Sequence, residues 1–524
     1  MRNRLLGVFL VLLLQSLCAV TAGRPNILLV VADDWSHPHA GVYGCKWVRT
    51  PSFDRLASNG IVFDRAYTPN AKCAPSRACI LTGRNSWQLK EAGNHWAFFP
   101  QEYRSFPEAL LAQGYHTGFT GKGWQPGIAQ NAKGQPRLLL GEEYSKLRLT
   151  PPTAQISSID YAANFAAFLA SVPESTPWCF WVGSNEPHRA YEYGSAVQKG
   201  ARNTKEIDRV PAYWPDCSEV RNDMLDYAFE LEHFDSHLGR IIAELERRNE
   251  LSNTLIIVTA DNGLPFPRAK GQAYEISNHL PLVIHWPALQ GIGGRRISDY
   301  VSFVDLAPTI LEAAHINWDA SGLAATPGRS LLPLISTSQS GLVDPTRNYV
   351  LIGKERHDIG RPGDQGYPIR GIVSEDWLYL HNFETSRWPA GNPETGYLNC
   401  DGGATKSKIL SLRRDQQDTK LWRLCFAARP TEELYDLRND ADCVRNLATS
   451  PSQQERVVRM RTLLFERLTA QEDPRMLGRG SVFDTYQLAD PKYRGFYEKF
   501  SLGLAPFPTW VNSDDFENEK LPLD

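Results

Sequence analysis

Four apolar runs, each ending abruptly in polar residues, narrow what this chain can fold into more than any other feature. They are "NILLVVADDW" from Asn26, "YHTGFTGKGW" from Tyr115, "WCFWVGSNEPH" from Trp178 and "NTLIIVTADNG" from Asn253. Each has the length and flanks of a strand buried on both faces, and such strands belong to parallel sheets covered by helices. Helical patterns lie between them. "TPSFDRLASNG" offers Thr50 as an N-cap and Pro51 at the first helical position, while "SFPEALLAQG" stops at Gly114 as a helix terminus does. From Asn222 to Asn249, Leu225, Phe229, Phe234, Leu238, Ile241 and Leu245 recur at helical spacing. The alternation predicts an α/β architecture with a large, mostly parallel sheet sandwiched by helices.

Ligands of such sheets sit beyond the carboxyl ends of the strands. Here those ends carry Asp33 and Asp34, then Lys122, then His188 after Asn185 and Glu186, then Asp261 and Asn262. A single charged strand end only meets solvent, but four with complementary chemistry predict one site. Asp33, Asp34, Asp261 and Asn262 are all oxygen donors. That set suits a hard cation, calcium or magnesium, rather than zinc.

The chain is 524 residues long, too long for one small core. Residues 1–22 have arginines at positions 2 and 4, an apolar run from Leu5 to Leu14 and a small-residue ending, the pattern of a cleaved signal peptide. The expectation is a secreted or periplasmic protein. Leu17, ahead of Cys18, is too large for the usual lipidation site, which argues against a lipoprotein anchor. No later stretch is apolar for long enough to cross a bilayer. Fifty-six basic and 59 acidic residues leave a formal charge of −3, with no global bias toward nucleic acid or an anionic membrane. Attraction for an anionic ligand must therefore be local.

Beyond about residue 340 the texture changes. "YPIRGIVSEDWLYLHNF" reads as an antiparallel hairpin turning at Ser374 to Asp376, and "SQQERVVRMRTLLFERL" as an amphipathic helix from Ser452. The expected organisation is a catalytic α/β domain over 23–340 and a smaller α+β domain with an antiparallel sheet over 341–524. The polar stretch from Ala325 to Thr346 would connect them.

The segment Ala71 to Gly83 reads "AKCAPSRACILTG". A helix starting near Pro75 or Ser76 would leave Cys73 where backbone N–H groups favour negative charge, which lowers a thiol pKa and suits an anionic ligand. Arg77 would add a fixed positive charge. A disulfide from Cys73 to Cys79 or Cys45 is the alternative, because exported chains commonly pair their cysteines. Eight cysteines remain once Cys18 is removed, and their spacing dictates no pairing.

"CAPSRACILTG" resembles the Cys-x-Pro-Ser-Arg-x-x-x-Leu-Thr-Gly signature of type I sulfatases, in the alkaline phosphatase superfamily. The likeness extends through "RPNILLVVADDW", "GKGW", "EPHR", "ADNG" and "EELYDLRNDADCVRNLA", and so spans nearly the whole mature chain. The resemblance implies that a formylglycine-generating enzyme oxidises Cys73 to formylglycine (3-oxoalanine). It further implies that Asp33, Asp34, Asp261, Asn262 and the modified Cys73 bind a divalent cation, calcium ahead of magnesium. Arg77 would support the formylglycine, Lys122 and Lys270 would hold sulfate oxygens, and His188 would act near the leaving group or nucleophile.

Two departures from the family pattern stand out. Many sulfatases read Gly-Lys-x-His where this chain reads "GKGW", so Trp124 occupies the histidine position. His37, His39 or His95 are candidates to substitute, and Trp124 itself either stacks on a sugar or packs in the core. "DNGLPFPRAK" and "EPHRA" resemble the heparan N-sulfatase (sulfamidase) branch, yet that branch has arginine where Lys270 falls here. Both N–S and O–S bonds thus stay open as the scissile bond.

The resemblance implies a sulfated oligo- or polysaccharide substrate. "GKERHDIGRPGDQGYPIR" then reads either as a solvated turn or as a wall that recognises hydroxyls, carboxylates or sulfates. Its candidate contacts are Glu355, Arg356, His357, Asp358, Arg361 and Arg370, joined by Arg189 beside His188. A phosphate or phosphonate ester hydrolase and a non-catalytic sulfoglycan-binding protein are the alternative functions.

Overall fold

The computed structural model describes residues 23–289 and 293–523, and the signal-peptide reading of residues 1–22 lies outside them. An eight-stranded sheet is built from β1 (Asn26–Ala32), β2 (Ile61–Phe63), β3 (His116–Gly121), β4 (Glu142–Glu143), β5 (Trp178–Gly183), β6 (Thr254–Ala260), β7 (Leu282–His285) and β8 (Arg295–Ile297). Its order is β8-β2-β7-β6-β1-β5-β3-β4, and of these eight strands β7 alone runs opposite to its neighbours. The four strands expected from the apolar runs are the contiguous centre, β6-β1-β5-β3. Every residue of β1, β5 and β6 is buried, as strands covered by helices on both faces require.

The helices between the strands start and stop for local reasons. In α1 (Pro51–Asn59), Pro51 takes the first position, but the Thr50 hydroxyl is turned toward Gly41 N and does not cap the helix. In α3 (Phe106–Ala112), Ser105 and Glu108 form a reciprocal capping box, and Gly114 follows the end with φ +84°. Between them lies α2 (Cys73–Thr82); α4 (Tyr161–Ser171) and the thirty-residue α5 (Ser218–Arg247) complete the layer.

A second sheet comprises β9 (Tyr349–Lys354), β10 (Ile369–Ser374), β11 (Trp377–Asn382) and β12 (Glu432–Asp436), antiparallel throughout. Glu375 and Asp376 turn the predicted hairpin with φ +53° and +60°, the conformation a two-residue primed turn needs. The sheet is buried on both faces. Leu351, Ile372, Tyr379 and Leu434 pack with α6 (Gln454–Ala470) through Val457, Leu464 and Leu468, while Val350, Ile352 and Val373 pack with Tyr67, Tyr274 and Tyr300 of the first layer. Among the described residues, no helix is long and apolar enough to cross a membrane.

Candidate active site

Strand register fixes the site. Ala32 pairs with Ala260, so Asp33 and Asp261 leave β1 and β6 side by side, and Gly183 pairs with both Val31 and Gly121. A side chain at Gly183 would place its Cβ 1.8 Å from Lys122 O, so only glycine lets Lys122 N reach Gly183 O at 2.7 Å. Asp34 has φ +75°, a turn that aspartate tolerates, and its N–H donates to Asp261 Oδ1 at 3.2 Å.

Carboxylate oxygens of Asp33, Asp34 and Asp261 lie within 4.8 Å of one another. Each is held by a cation of the chain. Lys122 sits on Asp33, and Lys270 Nζ bridges Asp34 Oδ2 at 2.7 Å and Asp401 Oδ2 at 2.9 Å. Arg77 Nε donates to Asp261 Oδ2 at 2.7 Å. Burial alone would raise the Asp33 carboxyl, but Lys122, His188, Arg77 and Lys270 together hold it well below the usual range. Burial, and then the neighbouring Asp33, push Asp261 up to about 7. Three carboxylates this close call for additional positive charge if all are to ionise.

Asn262 Nδ2 donates to Asp34 Oδ1 at 2.6 Å, while Asn262 Oδ1 is buried with no hydrogen-bond partner. An unpartnered amide oxygen beside three carboxylates fits a hard divalent cation held by Asp33, Asp34, Asp261 and Asn262.

Helix α2 begins at Cys73 itself, two or three residues earlier than expected. Lys72 is the extended N-cap, and the first helical bond runs from Ser76 N to Lys72 O at 3.0 Å. Pro75 therefore falls in the first turn, where its missing N–H has no partner to lose. All ten residues of the helix are buried, and Gly83, with φ +67°, ends it. The Cys73 thiol donates to Asp33 Oδ1 at 3.5 Å.

Contrary to the expected depression, burial and then Asp33 push that thiol up to about 12. A helix terminus offers at most about 2 kcal/mol, too little to offset desolvation beside a carboxylate. The intact thiol is thus a poor nucleophile. All eight cysteines of the described residues are unpaired, Cys73, Cys79 and Cys45 included, so the disulfide alternative is not realised.

A cavity of about 610 Å³ opens over this cluster, lined among others by Cys73, Lys122, Lys270 and His188. His188 Nε2 stands 3.9 Å from Asp34 Oδ2. Arg189 also reaches the cavity, but its guanidinium is forked onto Asp223 with two contacts of 2.7 Å and donates from Nε to Pro265 O.

Most of the expected substrate wall does not line the cavity. Glu355, Arg356, His357 and Arg361 are each at most 1% exposed, and their polar groups face inward. Glu355 receives Arg370 at 2.7 Å and Arg475 at 2.6 Å; Arg356 donates to Tyr486 O, Arg361 to Trp388 O, and His357 Nε2 meets Asn70 Oδ1 at 2.6 Å. Of that run only Asp358 opens onto the cavity, where it pairs with Lys72 at 3.0 Å. Because Lys72 directly precedes Cys73, this pair braces the start of α2 from behind.

Trp124 belongs to the core. It is 6% exposed, donates from Nε1 to Ala74 O at 2.9 Å and meets Phe99 edge-on. Of the three candidate histidines, His37 stacks on His279 and His39 contacts the Tyr227 hydroxyl, both away from the cavity. His95 lines the cavity, and both of its ring nitrogens lack hydrogen-bond partners. Sequence reasoning did not find Lys72, Asp401, Glu230, Trp96 or Trp510, which also surround this space. None of them falls at a strand end or in a recognisable motif.

Comparison with known proteins shows the family and the fold. Residues 25–316 match the sulfatase family model. Human N-sulphoglucosamine sulphohydrolase is 26% identical over 479 residues, covering 84% of this chain and 88% of that protein. Among solved structures, a protein in complex with its substrate D-glucosamine-2-N,6-O-disulfate shares the fold at TM-score 0.58 and 18% identity, over 86% of this chain and 98% of that one. The phosphonate monoester hydrolase of Agrobacterium radiobacter does so at TM-score 0.57 and 17% identity, over 86% and 96% of the two chains.

Proposed function

The chain belongs to the sulfatase family, and from that premise we propose that it is an exported hydrolase that removes sulfate, as ester or sulfamate, from sulfated carbohydrate. One observation carries the reading: Cys73 opens a buried helix beside Asp33, in the same cavity as Lys122, Lys270 and His188. In the proposal a formylglycine-generating enzyme converts Cys73 during maturation. The hydrated aldehyde supplies an oxygen nucleophile together with a second hydroxyl through which sulfate is released. A calcium ion held by Asp33, Asp34, Asp261 and Asn262, with the modified side chain at position 73, supplies positive charge beside the sulfate.

The chain's own residues do the remaining work. Lys122 and Lys270 hold sulfate oxygens, and their ion pairs with Asp33, Asp34 and Asp401 fix both ammonium groups before substrate arrives. Charges prepositioned in a buried site stabilise developing charge more than mobile ones in water do. Arg77 donates to the carbonyls of Lys122 and Gly123 as well as to Asp261, and so holds the lysine loop against the carboxylate cluster. The side chain of His188 is 30% exposed and faces the cavity, where it is placed to pass a proton to the leaving group.

The test is the relative turnover of nitrophenyl sulfate and nitrophenyl phosphate by protein whose Cys73 has been converted. Sulfate is expected to be the preferred substrate. A wide preference for the phosphate would instead support a phosphate or phosphonate ester hydrolase. No turnover of either, at full conversion, would leave a sulfoglycan-binding protein.

A further inference from the structure

Helix α5 carries four buried carboxyl groups along its length, Asp223, Asp226, Glu230 and Asp235, each no more than 2% exposed. Three of them are engaged, Asp235 by the backbone N–H groups of Ser52 and Phe53. Asp223 takes the Arg189 fork and also the backbone N–H and hydroxyl of Thr405, at 2.9 and 2.6 Å. Asp226 accepts from Gly194 N at 2.7 Å, Ala196 N at 2.9 Å and the Ser195 hydroxyl at 3.2 Å. Glu230 is different: it lines the cavity above Cys73, yet has no hydrogen bond or ion pair to any described residue.

A carboxyl group on a cavity wall without protein partners is left to take its hydrogen bonds from what occupies the cavity, water or a ligand. Its neighbour on that wall, Glu186, already accepts from Ser157 N at 2.8 Å and the Tyr161 hydroxyl at 2.9 Å. The lysines of the cavity are likewise committed, Lys122 to Asp33, Lys270 to Asp34 and Asp401, and Lys72 to Asp358. The remaining features of the space suit a sugar ring. Trp96 and Trp510 line it with centroids 6.1 Å apart, and their Nε1 atoms are taken by Asp358 Oδ1 and Leu398 O, which leaves only their apolar surfaces for a ligand. A pyranose presents such apolar faces and a perimeter of donors.

We propose that Glu230 selects the sugar: its carboxyl hydrogen-bonds to hydroxyl or amine groups of the ring that carries the scissile sulfate. The inference rests on the reading of this cavity as a sulfated-sugar site. Glu230 is a binding and specificity residue in this account, and takes no part in the chemical step.

Calorimetric titration of the wild-type protein and its Glu230→Gln and Glu230→Ala forms, in calcium-containing buffer, tests it. The probes are inorganic sulfate, glucosamine 6-sulfate and glucosamine 2-N,6-O-disulfate. Wild-type protein is expected to favour both sulfated sugars over inorganic sulfate. Glu230→Ala should shrink that preference about tenfold, the scale of a lost hydrogen bond. Glu230→Gln keeps hydrogen-bonding capacity and should retain part of that preference. A preference unchanged in both variants, equal losses for all three probes, or a wild-type protein that shows no such preference would each overturn the proposal. This binding readout needs no conversion of Cys73. It can therefore fail while nitrophenyl sulfate is turned over, or succeed while turnover fails, which separates the two readings.

Discussion

Arg77 Nε donates to Asp261 Oδ2 at 2.7 Å, and both side chains are completely buried although 184 residues of sequence separate them. The same guanidinium reaches the carbonyls of Lys122 at 2.6 Å and Gly123 at 3.1 Å, so one side chain ties α2 to the ends of β6 and β3. Arg77→Ala strands a buried carboxylate and should destabilise the fold by about 3 kcal/mol or more. Arg77→Lys should not restore it, because an ammonium lacks the planar fork that meets a carboxylate and two carbonyls together. Urea unfolding of the three proteins is the measurement, and an unchanged midpoint in Arg77→Ala would show that the pair is dispensable for stability.

Asn262 gives a second expectation, since its Oδ1 is buried without a partner among three carboxylates. Calcium should raise the thermal midpoint of the wild-type protein, with a stabilisation of about 3 kcal/mol at a hundredfold excess over Kd. Chelator should reverse the shift, and Asn262→Ala should lose most of it. Equal calcium shifts in wild type and Asn262→Ala would move the cation elsewhere.

Asp235 makes a pH-dependent contribution remote from the cavity. From α5 it accepts the backbone N–H groups of Ser52 at 2.9 Å and Phe53 at 2.8 Å, in the first turn of α1. Burial raises its carboxyl from 3.8 to about 6. An acid with a raised folded pKa binds its proton more tightly folded than unfolded, so its contribution favours folding in acid and declines as pH rises between those two values. Stability relative to Asp235→Asn should therefore fall between about pH 4 and pH 6, by up to about 3 kcal/mol, and stay level above. Denaturant melts of both proteins across that range decide it, and a relative stability that grows with pH would contradict the assignment.

The central sheet was legible because β1, β5 and β6 are buried on both faces and so appear as continuous apolar runs. Their register then brings Asp33, Asp34, Asp261, Asn262 and Lys122 together with no further information, since the residue after each strand inherits the strand's position. The run from Glu355 to Arg361 was misleading for a physical reason. Its charges look solvated or ligand-facing in one dimension, whereas Glu355 is satisfied by Arg370 on the adjacent strand β10 and by Arg475, which, like Asp473 on Arg370, comes from a distant segment. Trp124 was ambiguous because stacking on a sugar and donating to Ala74 O require the same residue type. Glu230 was invisible, since its distinction from Asp223 and Asp226 lies wholly in what those two contact.

The account stands or falls on Cys73. Preparations made with differing amounts of the converting enzyme should be compared by plotting nitrophenyl sulfate turnover against the fraction of Cys73 converted, read by mass spectrometry on the same samples. The account predicts turnover proportional to conversion, vanishing when the thiol is intact and in Cys73→Ala. Full turnover by unconverted protein would contradict it.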